Sequence, residues 1–187
     1  MKAIRLVRVG DPHPDLVDAL VVPLAEEFGV PCSIDARRID PLFAMHPERR
    51  QAHSSQLLAE ILRDDGAGAH LLGVTSLDLY IPILTFVFGE AQTEGHCAIV
   101  SYHRLRQEIY GLPHDGELLE ARLVKEAVHE LGHTLGLYHC DDWECVMASS
   151  HSVEGIDLKG WQLCPVCRTA IEEDRAYEVA RLAKRIL

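Results

Sequence analysis

The sequence lacks any stretch approaching the roughly 20 consecutive apolar residues of a membrane span, so no integral membrane helix is expected. It also lacks a leader-type apolar region: Arg5 and Arg8 interrupt the opening MKAIRLVRVGDPH, which reads as the first strand of the fold. The expected compartment is therefore the cytoplasm, where structural disulfides are rare. Positive charge is scarce. With 18 basic against 29 acidic residues the formal net charge is −11, and no basic cluster stands out against it. That disfavours nucleic acid and anionic membrane as partners, and leaves solubility as the plain meaning of the acidity. Internal repeats and long linkers are missing too, so 187 residues with 48% hydrophobic content fit one domain with one buried core.

Cysteine and histidine are not scarce. Six cysteines in a reducing compartment point to metal ligands, core thiols or redox groups, and three of the 11 histidines fall within eleven residues. Residues 3–9 read as a strand and residues 15–28 as a helix through Leu16, Leu20, Leu24 and Phe28, stopped by Gly29. A strand over 30–36 completes a β-α-β start and suggests parallel pairing. A second helix is expected over 47–63, with strands over 70–74, 84–89 and 96–102 and a polar loop over 90–95. A long helix is expected over 117–135, with Asp115 as N-cap, Gly136 as stop, and a core stripe at 121, 124, 128, 131 and 135. The segment 139–167 reads as irregular, and 169–186 as a closing amphipathic helix. The chain is thus an α/β domain with a loop-built C-terminal portion.

The chemistry concentrates in HELGHTLGLYH, residues 129–139. Positions i and i+4 of a helix share a face, so His129 and His133 can reach one metal ion, and the Glu130 carboxylate can reach a water held there. Gly136 can end the helix in a left-handed conformation and turn the chain back, delivering His139 as a third ligand. Three neutral imidazoles and an open fourth position make a catalytic rather than a structural zinc.

HExxHxxGxxH with a methionine downstream, here Met147, resembles the metzincin signature. The further residues Cys140, Cys145 and the Cys164-Pro-Val-Cys167 knuckle are similar to those of the archaemetzincins. The motif evidence covers residues 129–167; residues 1–115 add only a compatible element order. The resemblance implies a metzincin-like twisted mixed sheet with an antiparallel edge strand and a long active-site helix. It also implies a loop-rich, zinc-stapled C-terminal subdomain ending in a helix, with 1–136 as the upper and 137–187 as the smaller part of a single catalytic domain. It implies that Met147 forms a turn beneath the zinc site, and that residues 84–89 are the sheet edge along which a substrate adds a strand.

Cys140, Cys145, Cys164 and Cys167 supply four soft ligands, enough for a closed tetrahedral zinc site. A thioredoxin-like dithiol is the rival reading of the CPVC knuckle, but it wants a βαβ context and leaves Cys140 and Cys145 unexplained. Adjacent loop side chains diverge, so His139 and Cys140 can serve two different ions. Cys32 and Cys97 lack partners at ligand spacing and read as core thiols. The expected function is a zinc-dependent metallopeptidase, with two Zn2+ per chain, that hydrolyses peptide bonds through a zinc-bound water activated by Glu130. The expected partner is a peptide or protein substrate, and the chain is expected to be a monomer. A zinc-dependent peptide-binding or regulatory protein with little turnover, a thiol redox protein, and a structural zinc protein remain as alternatives. Specificity is expected from a pocket beside the zinc formed after Met147, with solvated loop as the default role of the acids and histidine in 149–158. Without an N-terminal extension before the first strand, restraint of activity is expected from a narrow cleft, a loop or strict substrate choice.

Overall fold

Three apolar runs, β1 (Ile4–Val9), β5 (His70–Thr75) and β8 (Cys97–Ser101), are covered on both faces and pair in parallel as the centre of a sheet. In the computed structural model, which describes residues 1–64 and 68–173, they belong to a five-stranded sheet. Its order is β2 (Cys32–Ile39), β1, β5, β8 and β7 (Gly89–Ala91). Every pairing is parallel except the last, so β7 is an antiparallel edge. Alternate residues point to opposite faces. Leu6, Leu72 and Ala98 therefore pack against α2 (Val21–Phe28) and α4 (Gly116–Thr134), while Val7, Leu71 and Ile99 pack against α3 (Ser54–Ile61). Cys97 is fully buried, as expected of a core thiol, and Cys32 is half-buried, with burial pushing its thiol up to about 11. No helix among the described residues is long and apolar enough to cross a membrane.

Several elements differ from their sequence-based boundaries, each for a local reason. The helix expected over 15–28 is two pieces, α1 (Pro14–Asp18) and α2, broken at Ala19–Leu20. Pro23 has no N–H to bond the carbonyl four residues back, and its ring crowds that carbonyl. The helix expected over 47–63 starts only at Ser54. Residues ahead of it form β3 (Met45–His46) and β4 (Gln51–His53), which join β6 (Leu79–Tyr80) in a second, three-stranded sheet. Arg50 adopts a left-handed φ of 55° at the β3–β4 turn, which a continuing helix forbids. Within 139–167 a short α5 (Val153–Leu158) forms, and the closing helix begins with Pro165 as its first residue, its expected portion beyond 173 lying outside the described residues.

The long helix α4 follows expectation at both ends. The Asp115 side chain accepts from the Leu118 N–H (2.9 Å), and Gly136 takes φ 83° just past the end. Its core stripe is rotated from the expected one. Ala121 is exposed, whereas Leu123, Val124, Ala127, Val128 and Leu131 are buried, because α4 is wedged between sheet, α2 and α5. That wedge also buries Arg122, Glu126, His129 and Glu130, so the helix carries its polar residues inward at one place. Arg122 anchors α5 there through a two-pronged ion pair with Asp157 (2.7 and 2.6 Å).

Candidate metal centres

α4 and the turn after it bring His129, His133 and His139 together, with one ring nitrogen from each within 4.8 Å of the others. The second nitrogens fix the tautomers. His129 Nδ1 lies 2.9 Å from the Val146 carbonyl and His133 Nδ1 lies 2.7 Å from the Leu137 carbonyl. A carbonyl only accepts, so both Nδ1 atoms carry the proton and both Nε2 atoms present a lone pair. Those two Nε2 atoms are 3.1 Å apart. Two lone pairs at that distance repel unless a cation lies between them. Tetrahedral zinc with bonds of about 2.0–2.1 Å would want them about 3.3 Å apart, so the donor set fits the ion. Burial, with the Lys159 charge next, pulls the His129 pKa down to about 3, which keeps the imidazole neutral and ready as a ligand. His139 is pulled down as well, by burial first and then by His133.

Glu130 is buried on the same helix face and lines the cleft with the three histidines. Its carboxyl packs directly on the edge strand: a Cβ added at Gly89 would come within 2.6 Å of Glu130 Oε1. Burial raises its pKa well above the ordinary carboxylate value, Glu126 and Glu90 add to the rise, and Lys159 opposes it. A divalent cation beside it would favour the ionised form.

Met147 is fully buried under the helix, and a Cβ at Gly132 would lie 2.5 Å from its sulfur. The glycine inside HELGH thus makes room for the methionine turn. Replacing Gly132 with Ala should overpack this contact at a cost of about 1–3 kcal/mol. The expected readout is a fall of several degrees in thermal midpoint; an unchanged midpoint would mean Met147 is loosely held.

The four cysteines Cys140, Cys145, Cys164 and Cys167 also converge, with all sulfurs within 4.8 Å of one another. Cys140 lies 3.8 Å from Cys164, and Cys145 lies 3.8 Å from Cys167, sulfur to sulfur. This is nearly twice a disulfide bond, and all four are free thiols. Zinc bonded to sulfur at about 2.3 Å would want tetrahedral edges of about 3.8 Å, so these residues fit a closed zinc site. Two backbone N–H groups, of Met147 and Cys164, point at the Cys145 sulfur (3.4 Å each) and would stabilise a thiolate there. Burial opposes ionisation at Cys145 and Cys167. At Cys164 donors from the Cys167 backbone and neighbouring thiols outweigh burial and bring the thiol below its usual value.

One short stretch serves both clusters. Cys145 places its sulfur in the thiol group, Val146 offers its carbonyl to His129, and Met147 lies under Gly132. The Cys140 N–H also donates to the Met147 carbonyl (3.0 Å). His139 and Cys140 diverge to the two clusters, as their adjacency suggested.

The cleft beside the histidines has a volume of about 440 Å³ and is walled by residues 84–91. The strand expected over 84–89 is not there. Residues 81–86 form a loop that opens on a turn, with the Leu84 N–H bonding the Ile81 carbonyl and Pro82 second in the turn, and pairing with β8 begins only at Gly89. Arg49 holds the loop by donating to the Leu84 and Thr85 carbonyls (3.1 and 2.9 Å), and the Arg104 guanidinium stacks on Phe86 (4.2 Å). In the β7–β8 ladder the Ser101 N–H bonds the Phe88 carbonyl and the Gln92 N–H bonds the Cys97 carbonyl. The backbone groups of Gly89 and Ala91 therefore face away from β8, into the cleft.

Sequence reasoning missed Glu126 and Lys159, which line this cleft as a buried ion pair (2.9 Å). Glu126 lies one helical turn before Glu130, a spacing that could have flagged it. Lys159 follows α5 and carries no sequence signal. Of residues 149–158, Ser149, Ser150 and His151 line the cleft, while Glu154 and Asp157 do not.

The model of peptidase family M54 matches residues 52–173. The chain is 38% identical over 169 residues to an archaemetzincin of Methanocaldococcus jannaschii, covering 90% of this chain and 92% of that one. It is 48% identical over 129 residues to an archaemetzincin of Thermococcus kodakarensis, covering 67% and 69%. The crystal structure of archaemetzincin from Methanopyrus kandleri is similar with a TM-score of 0.83 at 36% identity, covering 94% of this chain and 96% of that chain. The malonate complex of archaemetzincin from Archaeoglobus fulgidus is similar with a TM-score of 0.77 at 34% identity, covering 89% and 99%.

Proposed function

The chain belongs to peptidase family M54, the archaemetzincin metallopeptidases, and we propose that it hydrolyses peptide bonds at a zinc held by His129, His133 and His139. The observation that carries this reading is the pair of unprotonated Nε2 atoms 3.1 Å apart, each held in that tautomer by a backbone carbonyl. Zinc bound there would supply Lewis acidity towards a carbonyl and towards water. Glu130 takes the proton of the attacking water on its carboxylate and returns it to the leaving amine. Its contact with Gly89 holds that carboxylate against the edge strand, next to the place a substrate must occupy. The outward-facing backbone of Gly89 and Ala91 pairs with an extended substrate, a two-residue edge shorter than the sequence suggested. Burial of Glu130 between α4 and the sheet edge at Gly89 keeps bulk water from the far side of the carboxylate.

Cys140, Cys145, Cys164 and Cys167 hold a second, structural zinc that fixes the 140–147 loop. Substrates are short peptides or a narrow set of proteins, since the cleft is walled on both sides.

The test is a peptide-library cleavage assay on zinc-loaded protein, before and after chelation. Turnover that disappears with the chelator and returns with zinc is expected. Zinc-dependent peptide binding without turnover in the fully loaded protein would make it a binding protein instead.

A further inference from the structure

We propose that Lys159 and Glu126 form a polar seat in the cleft that selects a substrate carboxamide, the side chain of Asn or Gln beside the bond cleaved. The inference rests on the hydrolytic reading above. Both side chains line the cleft, yet both are almost wholly buried, with 1% and 5% of their side-chain surface exposed. A buried ion pair is retained at a cost in desolvation, so its place in a substrate cleft calls for a reason.

Hydrogen-bond accounting supplies one. The Lys159 ammonium has three N–H donors. One faces Glu126 Oε1 (2.9 Å) and one the Ala148 carbonyl (3.3 Å). The third points to His129 Nδ1 (3.5 Å), which cannot accept because its own proton is committed to the Val146 carbonyl. An acceptor is therefore missing. On the other side, Glu126 Oε1 has the Lys159 ammonium in ionic contact but outside hydrogen-bond geometry, and the Ser150 hydroxyl, buried in the same lining, has no hydrogen-bond partner. The seat wants a ligand that accepts at the ammonium and donates at the carboxylate.

Charge decides among the candidates. A substrate carboxylate would satisfy Lys159 but would stand against Glu126, with Glu130 and Glu90 also lining the cleft. A substrate cation would satisfy Glu126 but would face Lys159. An aliphatic side chain would leave both unsatisfied groups in a drier site. A carboxamide has one acceptor and two donors on a planar group, adds no charge, and meets both needs. The seat lies behind His129, on the side of the ring opposite the Nε2 that faces the other histidines. The side chain that fills it therefore belongs to a residue flanking the scissile bond.

The test uses zinc-loaded protein and peptides that carry Gln, Glu, Leu or Arg at a position beside the scissile bond, on each side in turn. Each peptide is measured both for kcat/KM and for equilibrium competition binding. Gln is expected to exceed the other three by about 10–100-fold at one of the two positions, in both measurements, as for a hydrogen bond to a charged group. The double variant Lys159→Met with Glu126→Leu leaves no unpaired buried charge and no polar partner for a carboxamide. In that variant, checked for zinc content and thermal midpoint, Gln should fall to within about twofold of Leu. Equal rates for Gln and Leu, a preference for Glu or Arg, or a Gln preference that survives in the double variant would overturn the proposal. Selective binding of Gln without cleavage of any peptide would keep the seat and reject the hydrolytic reading.

Discussion

Glu130→Ala is expected to keep its full zinc content and to lose about 10²–10⁴-fold in kcat. The reason is positional. His129 and His133 take their orientation from the Val146 and Leu137 carbonyls, neither of which touches Glu130, so the metal's donors survive the change. Glu130 itself is held by burial and by the close face of Gly89, an arrangement that serves no other hydrogen bond among the described residues. Stability should move little or rise, because the variant removes a buried carboxyl whose ionisation is opposed by desolvation and by Glu126 and Glu90. Zinc content by metal analysis, thermal midpoint and turnover together separate the outcomes. Retained turnover would remove Glu130 from the mechanism. Lost zinc would instead give it a structural role.

The second large effect is expected at a distance from the cleft. Cys164→Ser should lower total zinc and should also weaken zinc binding at the three histidines by about 10–100-fold, the scale on which outer partners tune a metal site. The coupling runs through three consecutive residues. Losing the thiol cluster frees Cys145, and with it the Val146 carbonyl that sets the His129 tautomer and the Met147 side chain packed on Gly132. It also frees Cys140, whose N–H is tied to the Met147 carbonyl and whose neighbour is His139. Zinc titration of the variant against a competing chelator checks this. Unchanged zinc stoichiometry with intact activity would show that the two clusters are independent.

These couplings explain what the sequence revealed and what it hid. Local rules were enough for α4: the Asp115 cap, the i and i+4 histidines and the left-handed Gly136 each depend on residues within one turn. The cysteine set was legible because soft ligands at knuckle spacing have few other uses in this kind of chain. Gly132 and Gly89 were unreadable as glycines, since their reason is the approach of Met147 and of Glu130 from elsewhere in the fold. Lys159 was hidden for the same reason, because its partner Glu126 lies 33 positions earlier and meets it only after α5 docks through Arg122 and Asp157. The cleft wall was misplaced by a few residues because apolar 84–88 has the composition of a strand, whereas the 81–84 turn and the Arg49 hydrogen bonds hold its start as a loop. Hydrophobic pattern marks what is buried, but backbone pairing decides what is strand.

Two adjacent residues, His139 and Cys140, are proposed to belong to two different zinc sites. Metal analysis of the purified protein, combined with X-ray absorption at the zinc edge, decides the matter. Two zinc ions per chain are expected, one bound by sulfur alone and one by imidazole nitrogen and an oxygen ligand. A single zinc per chain, or an ion whose shell mixes the Cys140 sulfur with imidazole nitrogen, would contradict it.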